Sequence, residues 1–335
     1  VTVVWPESLP LPPLPAGAAA EFVRRPAATP RARTYYAQWG LRKDVRRHGI
    51  DIIHYPASVG SVLPPRPMIL TVHDLTFLHN PAWYRYERAH DYRRAAKYTA
   101  PRAARIIAVS QATANEVTGL LGIPPERIDV IHNGVDERYA PCSEEQIRAA
   151  RAKYQLPQRY FLFVGTIEPR KNVARLVRAW SQVAGHVEED LVIAGRDGWK
   201  VGPIYQEVGR SKYQDRIVFP GYIEDEHLPA VICGATALAY PSLYEGFGLP
   251  VLEAMACGVP VLTSNVSSLP EVAGEAALLV DPANMEAMME GLTQLAGRPD
   301  LRDDLIRKGL ERAKQFTWTR AAQETLACYR KAMDA

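Results

Sequence analysis

The sequence has few of the features that mark membrane, metal-binding or disulfide-rich proteins. Its four cysteines, Cys142, Cys233, Cys257 and Cys328, lie far apart and form no Cys-x-x-Cys pair. This spacing indicates neither a zinc site nor a disulfide framework, and it fits a reducing, cytoplasmic compartment. No apolar run approaches the roughly 20 residues of a membrane helix, and no signal-peptide pattern opens the chain. We therefore expect no integral membrane insertion.

Charge is also close to balanced. The formal net charge is +3 and no run of four or more basic residues occurs, so nucleic acid is not expected as a partner. Residues 1–140 carry 18 Lys/Arg against 12 Asp/Glu, which could favour anionic lipids, phosphorylated acceptors and a peripheral membrane contact. An ordinary solvated surface is the favoured alternative. Nothing in the sequence indicates an oligomeric state.

The chain, at 335 residues, exceeds the usual size of one hydrophobic core. Residues 6–30 are too rich in proline for regular structure, and we predict a surface loop there. Short apolar strands then alternate with helical segments in two series. Residues 141–157 separate the two series; they are polar and helical in part, and we predict that they pass between the domains. The predicted strands are 1–5, 50–54, 68–72, 105–109, 128–131, 160–164, 191–194, 217–219, 235–240, 259–263 and 277–280. The main predicted helices are 33–47, 85–99, 111–121, 173–184, 250–257 and 318–333.

Apolar strands joined by helices indicate parallel sheets covered on both faces. We therefore predict an α/β protein of two facing, doubly wound, Rossmann-like domains. The boundaries are residues 1–145 for the first domain and 150–316 for the second. The last helix, within residues 317–335, is expected to pack back on the first domain. Ligands of such sheets bind beyond the carboxyl ends of the strands, so the loops at those ends are the places to search.

The most informative stretch, residues 241–258, reads PSLYEGFGLPVLEAMACG. It follows a strand, and Gly246 and Gly248 would let its backbone approach a ligand closely. Pro250 suits the first turn of a helix, whose free amides form an anion site matched to a diphosphate.

Glu245 and Glu253 flank this helix start. A carboxylate would repel phosphate, so these two side chains suit hydroxyl groups on either side of a diphosphate, on a transferred sugar and on a ribose. Spacing alone leaves a plain turn equally open, with two glutamates that favour the helix dipole.

The stretch resembles the E-x7-E signature of glycosyltransferase family 4, a family of retaining enzymes with the GT-B fold. Other segments of the chain are also similar to that family and occur in the order expected for it. They are residues 71–74, 109–113, 132–136, 163–172 and 219–223. The likeness covers nearly the whole chain from about Asp51 onwards. It implies transfer of a hexose from a nucleotide-diphosphate sugar, with retention of configuration, to a glycan, lipid or small-molecule acceptor. No metal or other cofactor is expected.

The resemblance also implies roles for individual residues. The implied catalytic residues are Glu245, His73, Lys171 and Arg170. The implied donor-binding residues are Gly165, Arg170, Lys171, Tyr222, Ile223, Glu245, Gly246, Phe247, Gly248, Leu249 and Glu253. Two cations at a strand end can neutralise charge on a departing diphosphate, although a lone Arg-Lys pair is more often a solvated loop. Thr166 stands where some relatives carry an arginine, so one phosphate contact is expected to be missing.

Ser110 and Asn133 occupy comparable strand-end loops and could line an acceptor cleft. Alternatively, Ser110 only caps the helix that follows it, and Asn133 only forms a turn with Gly134. For a lone histidine such as His73 a structural hydrogen bond is the usual role, but its place at a strand end favours contact with the transferred sugar.

One departure from the family pattern concerns the start of the chain. Relatives begin with a strand, a glycine-rich loop and a helix, and this initial βα unit has no counterpart here. We expect either that the sequence begins inside the first domain or that activity is impaired. The alternatives to transfer are a nucleotide-sugar-binding protein of the same fold and, less favoured, a sugar-nucleotide epimerase. Residues 194–199 are similar to stretches in mannosyltransferases, which slightly favours GDP-mannose over UDP-glucose as the donor.

Overall fold

The structure is a computed structural model, and it describes residues 2–6, 21–25, 36–80, 83 and 86–334. Its strands are β1 (Thr2–Pro6), β2 (Glu21–Arg25), β3 (Ile53–Tyr55), β4 (Met68–Val72), β5 (Arg105–Ala108), β6 (Ile128–Val130), β7 (Tyr160–Val164), β8 (Asp190–Ala194), β9 (Ile217–Gly221), β10 (Ala237–Tyr240), β11 (Val261–Ser264) and β12 (Leu278–Val280). Its α-helices are α1 (Leu41–Arg47), α2 (Thr76–His79), α3 (Tyr86–Thr99), α4 (Gln111–Leu121), α5 (Glu144–Tyr154), α6 (Val173–Val183), α7 (Gly202–Arg210), α8 (Leu228–Cys233), α9 (Leu249–Ala256), α10 (Leu269–Ala273), α11 (Met285–Gly297), α12 (Pro299–Ala313) and α13 (Trp318–Met333).

The larger sheet has the strand order β12-β11-β10-β7-β8-β9, and its neighbouring strands pair in parallel. This order makes β7 and β10 neighbours although β8 and β9 lie between them in sequence. The chain therefore leaves these two strands towards opposite sides of the sheet. A doubly wound sheet binds its ligands at the carboxyl ends of such a pair. The loops after Val164 and Tyr240 thus face a common crevice.

The core of this sheet explains why its strands form. In β7, Tyr160 to Phe163 are fully buried, and the strand shows no alternation of apolar and polar residues. Helix α6 covers one face with Leu176, Val177 and Trp180, each without exposed surface. An uninterrupted apolar run is what a parallel strand covered on both faces requires.

The smaller sheet has the order β3-β4-β5-β6, again parallel. In β4, Met68, Leu70 and Val72 pack in a cluster with residues of α2, α3 and α4, whereas Ile69 points into a cluster on the opposite face. This alternation follows the two-residue period of a strand.

Helix α13 covers that opposite face. Its buried residues Ala321, Cys328 and Ala332 pack in the cluster that contains Ile69. Lys331 Nζ lies 2.6 Å from a carboxylate oxygen of Asp129 on β6. The last helix of the chain therefore completes the sheet formed by the chain's first half. None of the helices in the described ranges is both long and apolar enough to cross a membrane.

The prediction of a loop through residues 6–30 was wrong in part. β2 lies inside this stretch and pairs in parallel with β1, from Thr2 opposite Glu21 to Pro6 opposite Arg25. A short strand needs only a few residues, and the segment that forms β2 contains no proline. The other residues between β1 and β2 lie outside the described residues.

Smaller corrections concern helix and strand ends. The helix expected over 33–47 is observed as a π-helical turn at Tyr36–Gly40 followed by α1, and residues 33–35 lie outside the described residues. The strand expected over 50–54 begins three residues later, as β3. Residues 141–157 are helical in part, as predicted: they contain α5, which starts with a capping box between Ser143 and Gln146 and packs against α8 of the larger sheet. Helices α4 and α13 and strand β7 have the predicted bounds.

Candidate active site

The loops that follow β7 and β10 meet at the carboxyl edge of the larger sheet. The β7 loop leaves the strand at Gly165, whose φ of 144° favours glycine, and ends at Asn172 in the left-handed conformation. The side-chain amide of Asn172 donates to the carbonyl oxygen of Pro241 at 3.0 Å. This bond ties the two loops together, and it places Arg170 and Lys171 beside residues of the β10 loop.

Glu245 lies at the centre of this contact. Arg170 Nη1 lies 2.8 Å from its Oε2, and Lys171 Nζ lies 2.7 Å from its Oε1. The hydroxyls of Ser242 and Tyr240 also donate to Oε1, at 2.7 and 3.0 Å. Glu245 is 8% exposed and Lys171 is 9% exposed. Sequence-predicted residues from two separate loops therefore form one buried cluster.

The electrostatics of the cluster favour the charged forms of Glu245 and Arg170. Burial would raise the pKa of Glu245, but the charges of Lys171 and Arg170 bring it down to about 2. Burial opposes the charge of Arg170, yet Glu245 and Glu168 together raise its pKa above the usual value. Arg170 Nη2 lies 2.8 Å from Glu168 Oε1, which supplies a second carboxylate. Two cations and two carboxylates balance, and the cations are fixed where negative charge on a ligand could be neutralised.

Helix α9 begins beside this cluster. Gly248 precedes it with φ of 110°, and Leu249 and Pro250 form its first turn. Ser268 Oγ donates to the carbonyl oxygens of Glu245 and Phe247, at 2.9 and 2.7 Å. The loop that precedes the helix is thereby fixed from the side of α10.

The structure shows a steric requirement for glycine at position 246 that the sequence did not indicate. A Cβ at this position would lie 1.7 Å from the carbonyl oxygen of His73. This close approach is between the β10 loop and the end of β4, and the predicted approach of the Gly246 backbone to a ligand stays a prediction. His73 itself follows β4 with an exposed side chain, so the structure does bring it to the loop that carries Glu245. Tyr244 OH accepts a hydrogen bond from Leu75 N at 3.1 Å and strengthens this contact.

Glu253 lies further along α9, away from Arg170 and Lys171. Burial raises its pKa to about 7, against a hydrogen bond from Tyr139 and the charge of Arg138, which both lower it. Nearby, Arg138, Tyr222 and Asp225 contribute to the lining of a cavity of about 840 Å³.

The β9 turn places its two predicted residues differently. Ile223 is buried, while the half-exposed Tyr222 ring lies 4.2 Å from the guanidinium carbon of Arg196. Of this pair, only Tyr222 offers its side chain to a ligand.

Ser110 and Asn133 do not lie in equivalent positions. Ser110 is fully buried; its hydroxyl accepts from Thr113 N at 3.0 Å and lies 2.7 Å from the carbonyl oxygen of Gly246. The capping alternative is therefore observed, and a contact of Ser110 with an acceptor stays a prediction. Asn133 is partly buried and precedes Gly134, where a Cβ would lie 2.2 Å from Trp318 N. No turn forms at Asn133 and Gly134, so the turn alternative is not observed, and a contact of Asn133 with an acceptor stays a prediction.

Sequence reasoning missed several residues that complete the site. Tyr240 and Ser242 bind Glu245 but carried no signal beyond their places at a strand end, and Tyr139 reaches Glu253 from a segment without a motif. The sequence also gave no sign that two of the cysteines lie close together in space. The thiols of Cys142 and Cys233 both lie near the carbonyl oxygen of Ala140, at 3.5 and 3.4 Å, although all four cysteines are free.

A metal has one candidate location among the residues that the structure describes. Glu224, Glu226 and His227 could each offer an atom to one ion. Lys153 Nζ already lies 2.6 Å from Glu224 and 3.3 Å from His227 Nδ1, so an ammonium group takes the position that a cation would need. Glu224 and Glu226 are exposed, and these three residues contribute nothing to the Glu245 cluster.

Comparison with known proteins identifies the family. The profile described as "Glycosyl transferases group 1" matches residues 145–312, and that described as "Glycosyltransferase Family 4" matches residues 1–139. O-antigen chain mannosyltransferase B of Escherichia coli is 34% identical over 87% of this chain and 76% of its own length. The chain belongs to glycosyltransferase family 4.

Further likenesses agree with this assignment. The MMP alpha-(1->4)-mannosyltransferase of Mycolicibacterium hassiacum is 29% identical to this glycosyltransferase, over 86% of this chain and 72% of its own length. Anabaena HepE, solved in complex with UDP, superimposes with a TM-score of 0.73 at 19% identity and covers 93% of this chain and 86% of its own. That likeness shows the fold alone. The predicted GT-B architecture of two Rossmann-like domains is confirmed, with the smaller sheet in the first domain and the larger sheet in the second.

Proposed function

We propose that this glycosyltransferase transfers a mannosyl residue from GDP-mannose to a glycan acceptor, with retention of the anomeric configuration and without a metal ion. The observation that carries the proposal is the buried contact of Arg170 and Lys171 with Glu245 at the junction of β7 and β10. Two fixed cations beside the start of α9 are suited to neutralise a departing diphosphate.

The choice of mannose is supported by the relatives. Both named relatives are mannosyltransferases, and one of them acts on the O-antigen chain according to its name. Residues 194–199 add their similarity to mannosyltransferase segments. Anabaena HepE was solved in complex with UDP, but it is only 19% identical to this chain. Its complex therefore supports a nucleotide-diphosphate donor in general and does not indicate which base or sugar the donor carries.

Retention is supported by the state of Glu245. Both of its oxygens are engaged, one by Arg170 and the other by Lys171 and Ser242. A carboxylate held in this way is a poor nucleophile, which disfavours a covalent glycosyl intermediate. We therefore propose that the acceptor hydroxyl attacks from the face that the diphosphate leaves. His73 is proposed to contact the transferred sugar, and Glu253 the ribose hydroxyls.

The experiment is a donor panel with GDP-mannose and UDP-glucose, a mannan oligosaccharide as acceptor, and EDTA in half of the reactions. We expect release of GDP that depends on the acceptor and persists in EDTA, with an α-linked product identified by NMR. Tight binding of GDP-mannose without turnover would instead support the binding-protein alternative. Turnover with UDP-glucose only would reject the mannosyl donor, and loss of turnover in EDTA would reject the metal-free mechanism.

A further inference from the structure

A carboxylate of the second domain binds the beginning of a helix of the first. Glu271, in α10, accepts hydrogen bonds from the backbone amides of Gln111 at 2.8 Å and Ala112 at 3.2 Å. These are the first two amides of α4, which have no partner within the helix. Ser110 caps the third, at Thr113. A negative charge at this end of a helix is also favoured by the helix dipole.

Glu271 is held firmly from its own side. Arg312 donates to the carbonyl oxygens of Glu271 and Val272, at 2.5 and 3.0 Å, and so fixes the backbone of α10. His132 Nε2, from the first domain, lies 2.6 Å from Glu271 Oε1. Three polar groups of the first domain therefore converge on one carboxylate of the second.

Residues 267–271 also hold the loop between β10 and α9 that carries Glu245, which we call the donor loop. Ser267 Oγ accepts from Glu245 N at 3.0 Å, and Ser268 Oγ donates to the carbonyl oxygen of Glu245 at 2.9 Å. On the other side of this loop, the hydroxyls of Ser110 and Thr113 lie 2.7 and 3.1 Å from the carbonyl oxygen of Gly246. The donor loop is thus held between the start of α4 on one side and residues 267–271 on the other. Glu271 connects these two sides directly through its hydrogen bonds to α4.

We propose that Glu271 is a positioning residue of the transfer reaction. Its carboxylate fixes α4 against the segment that carries the donor loop, and thereby sets the first domain, with His73, against Glu245. This inference rests on the proposed donor site. Glu271 itself contacts neither Arg170 nor Lys171 among its observed partners, so its role is to align the two domains rather than to bind the donor.

The first test is Glu271→Gln, which keeps the size of the side chain but offers one oxygen and an NH₂ group to three donors. The matched control is Glu275→Gln, on an exposed glutamate four residues further on. We expect exchange of the Gln111 and Ala112 amides to accelerate, and kcat to fall, each by about tenfold or more. The dissociation constant for GDP should stay within a factor of about two, because the donor-binding residues are not altered. The control should match the parent protein in all three measurements.

The second test alters the other partner. Gln111→Pro removes one donating N–H at the first position of α4, where proline is tolerated, and Ser110 before it is already extended. Gln111→Ala is its control, because it removes only the side chain that bonds Asn115. We expect Gln111→Pro to lower kcat as Glu271→Gln does, with Gln111→Ala close to the parent.

Unchanged amide exchange and unchanged kcat in both Glu271→Gln and Gln111→Pro would overturn the proposal. So would a fall in kcat matched by an equal loss of GDP affinity, since that result would place Glu271 in the donor site. Amide exchange is measured without any donor or acceptor. Failure of the positioning role is therefore distinguishable from failure of the proposed donor.

Discussion

At the scale of single residues, Glu245 differs from what its motif suggests. A carboxylate was expected to avoid the phosphates, and it instead lies directly against the cations proposed to bind them. This arrangement separates two effects of the side chain. Its charge reduces the positive potential that attracts a diphosphate, while its position holds Arg170 and Lys171 in place for the reaction.

Glu245→Gln should therefore affect binding and turnover in opposite directions. Loss of one negative charge leaves the cluster net positive, so we expect GDP to bind about threefold to tenfold more tightly. Turnover should fall by at least about tenfold, because the ordered cations lose a charged partner. Calorimetry with GDP and the transfer assay measure the two effects. Lys171→Ala should weaken both, whereas Lys314→Ala, an exposed lysine of the same domain, should weaken neither. Weaker GDP binding by Glu245→Gln would contradict this account.

The raised pKa of Glu253 leads to a prediction about how the stability of the protein depends on pH. Its pKa is raised to about 7 in the folded protein by burial, against an ordinary value of 4.5. The folded state therefore holds this proton more tightly than the unfolded state. The stabilisation is fully present below pH 4.5 and is lost as the pH rises through about 7.

Replacing Glu253 by Gln removes this dependence on pH. Relative to the parent protein, Glu253→Gln should gain about 2 kcal/mol of unfolding free energy between pH 5 and pH 8. Urea unfolding at the two pH values measures the difference, with Glu275→Gln as the control for an exposed glutamate. Equal stability differences at pH 5 and pH 8 would show that the Glu253 carboxyl is ionised normally.

At the scale of elements, the loop between β10 and α9 depends on the absence of a side chain at Gly246. A Cβ there would meet the carbonyl oxygen of His73 at 1.7 Å, and backbone cannot give way as a flexible side chain can. We expect Gly246→Ala to push the β10 loop away from β4 and to reduce transfer by at least about a hundredfold, since small displacements at a reacting centre cost this much.

Gly209→Ala is the matched control for Gly246→Ala. Gly209 lies in α7, where an added Cβ meets nothing within 4 Å, so this change should leave transfer unaltered and stabilise the helix slightly. Activity assays and thermal unfolding of both variants distinguish the cases. Full activity of Gly246→Ala would mean that the contact between the β10 loop and β4 is not needed for transfer.

The strands and helices also show which parts of the fold could be predicted from the sequence. Strand β7 is an uninterrupted apolar run, and helices α4 and α13 follow a helical pattern. All three have clear ends in the sequence, and their bounds were predicted to the residue. Strand β2 was missed because the prolines around it dominated the composition of the stretch. Pairing between β1 and β2 is a contact between distant residues, which no local pattern indicates.

In the candidate site, too, local sequence patterns predicted individual residues but not the contacts between distant parts of the chain. Arg170, Lys171 and Glu245 were predicted because their loops follow apolar strands and match family segments. Their direct contact follows from the neighbouring positions of β7 and β10, which is a property of strand order rather than of either loop. Glu271 was not predicted, since a lone glutamate in a short helix carries no signal until α4 of the other domain lies beside it.

At the scale of the whole molecule, the chain crosses between its domains more than once. Helix α13 follows the second domain in sequence and packs on the sheet of the first, where Cys328 is 1% exposed. His54 Nδ1 lies 2.6 Å from the hydroxyl of Tyr329, which adds a polar contact to this interface. The first sheet therefore depends on the last helix for the cover of one face, and the stability of the first domain should be sensitive to changes in α13.

Cys328→Glu tests this dependence. A glutamate at this buried position would be larger than the thiol and would place a second carboxylate near Asp129, at a cost of several kcal/mol. Ala327→Glu makes the same change one residue earlier, on the exposed side of the helix, and should cost little. We expect Cys328→Glu to lower the unfolding temperature of the first domain and to speed amide exchange in β4 and β5. GDP binding should persist, because Arg170, Lys171 and Glu245, the proposed donor residues, lie in the second domain with the core that surrounds them. Loss of GDP binding together with loss of the first sheet would instead show that the two domains fold as a single cooperative unit, in which α13 stabilises the whole chain.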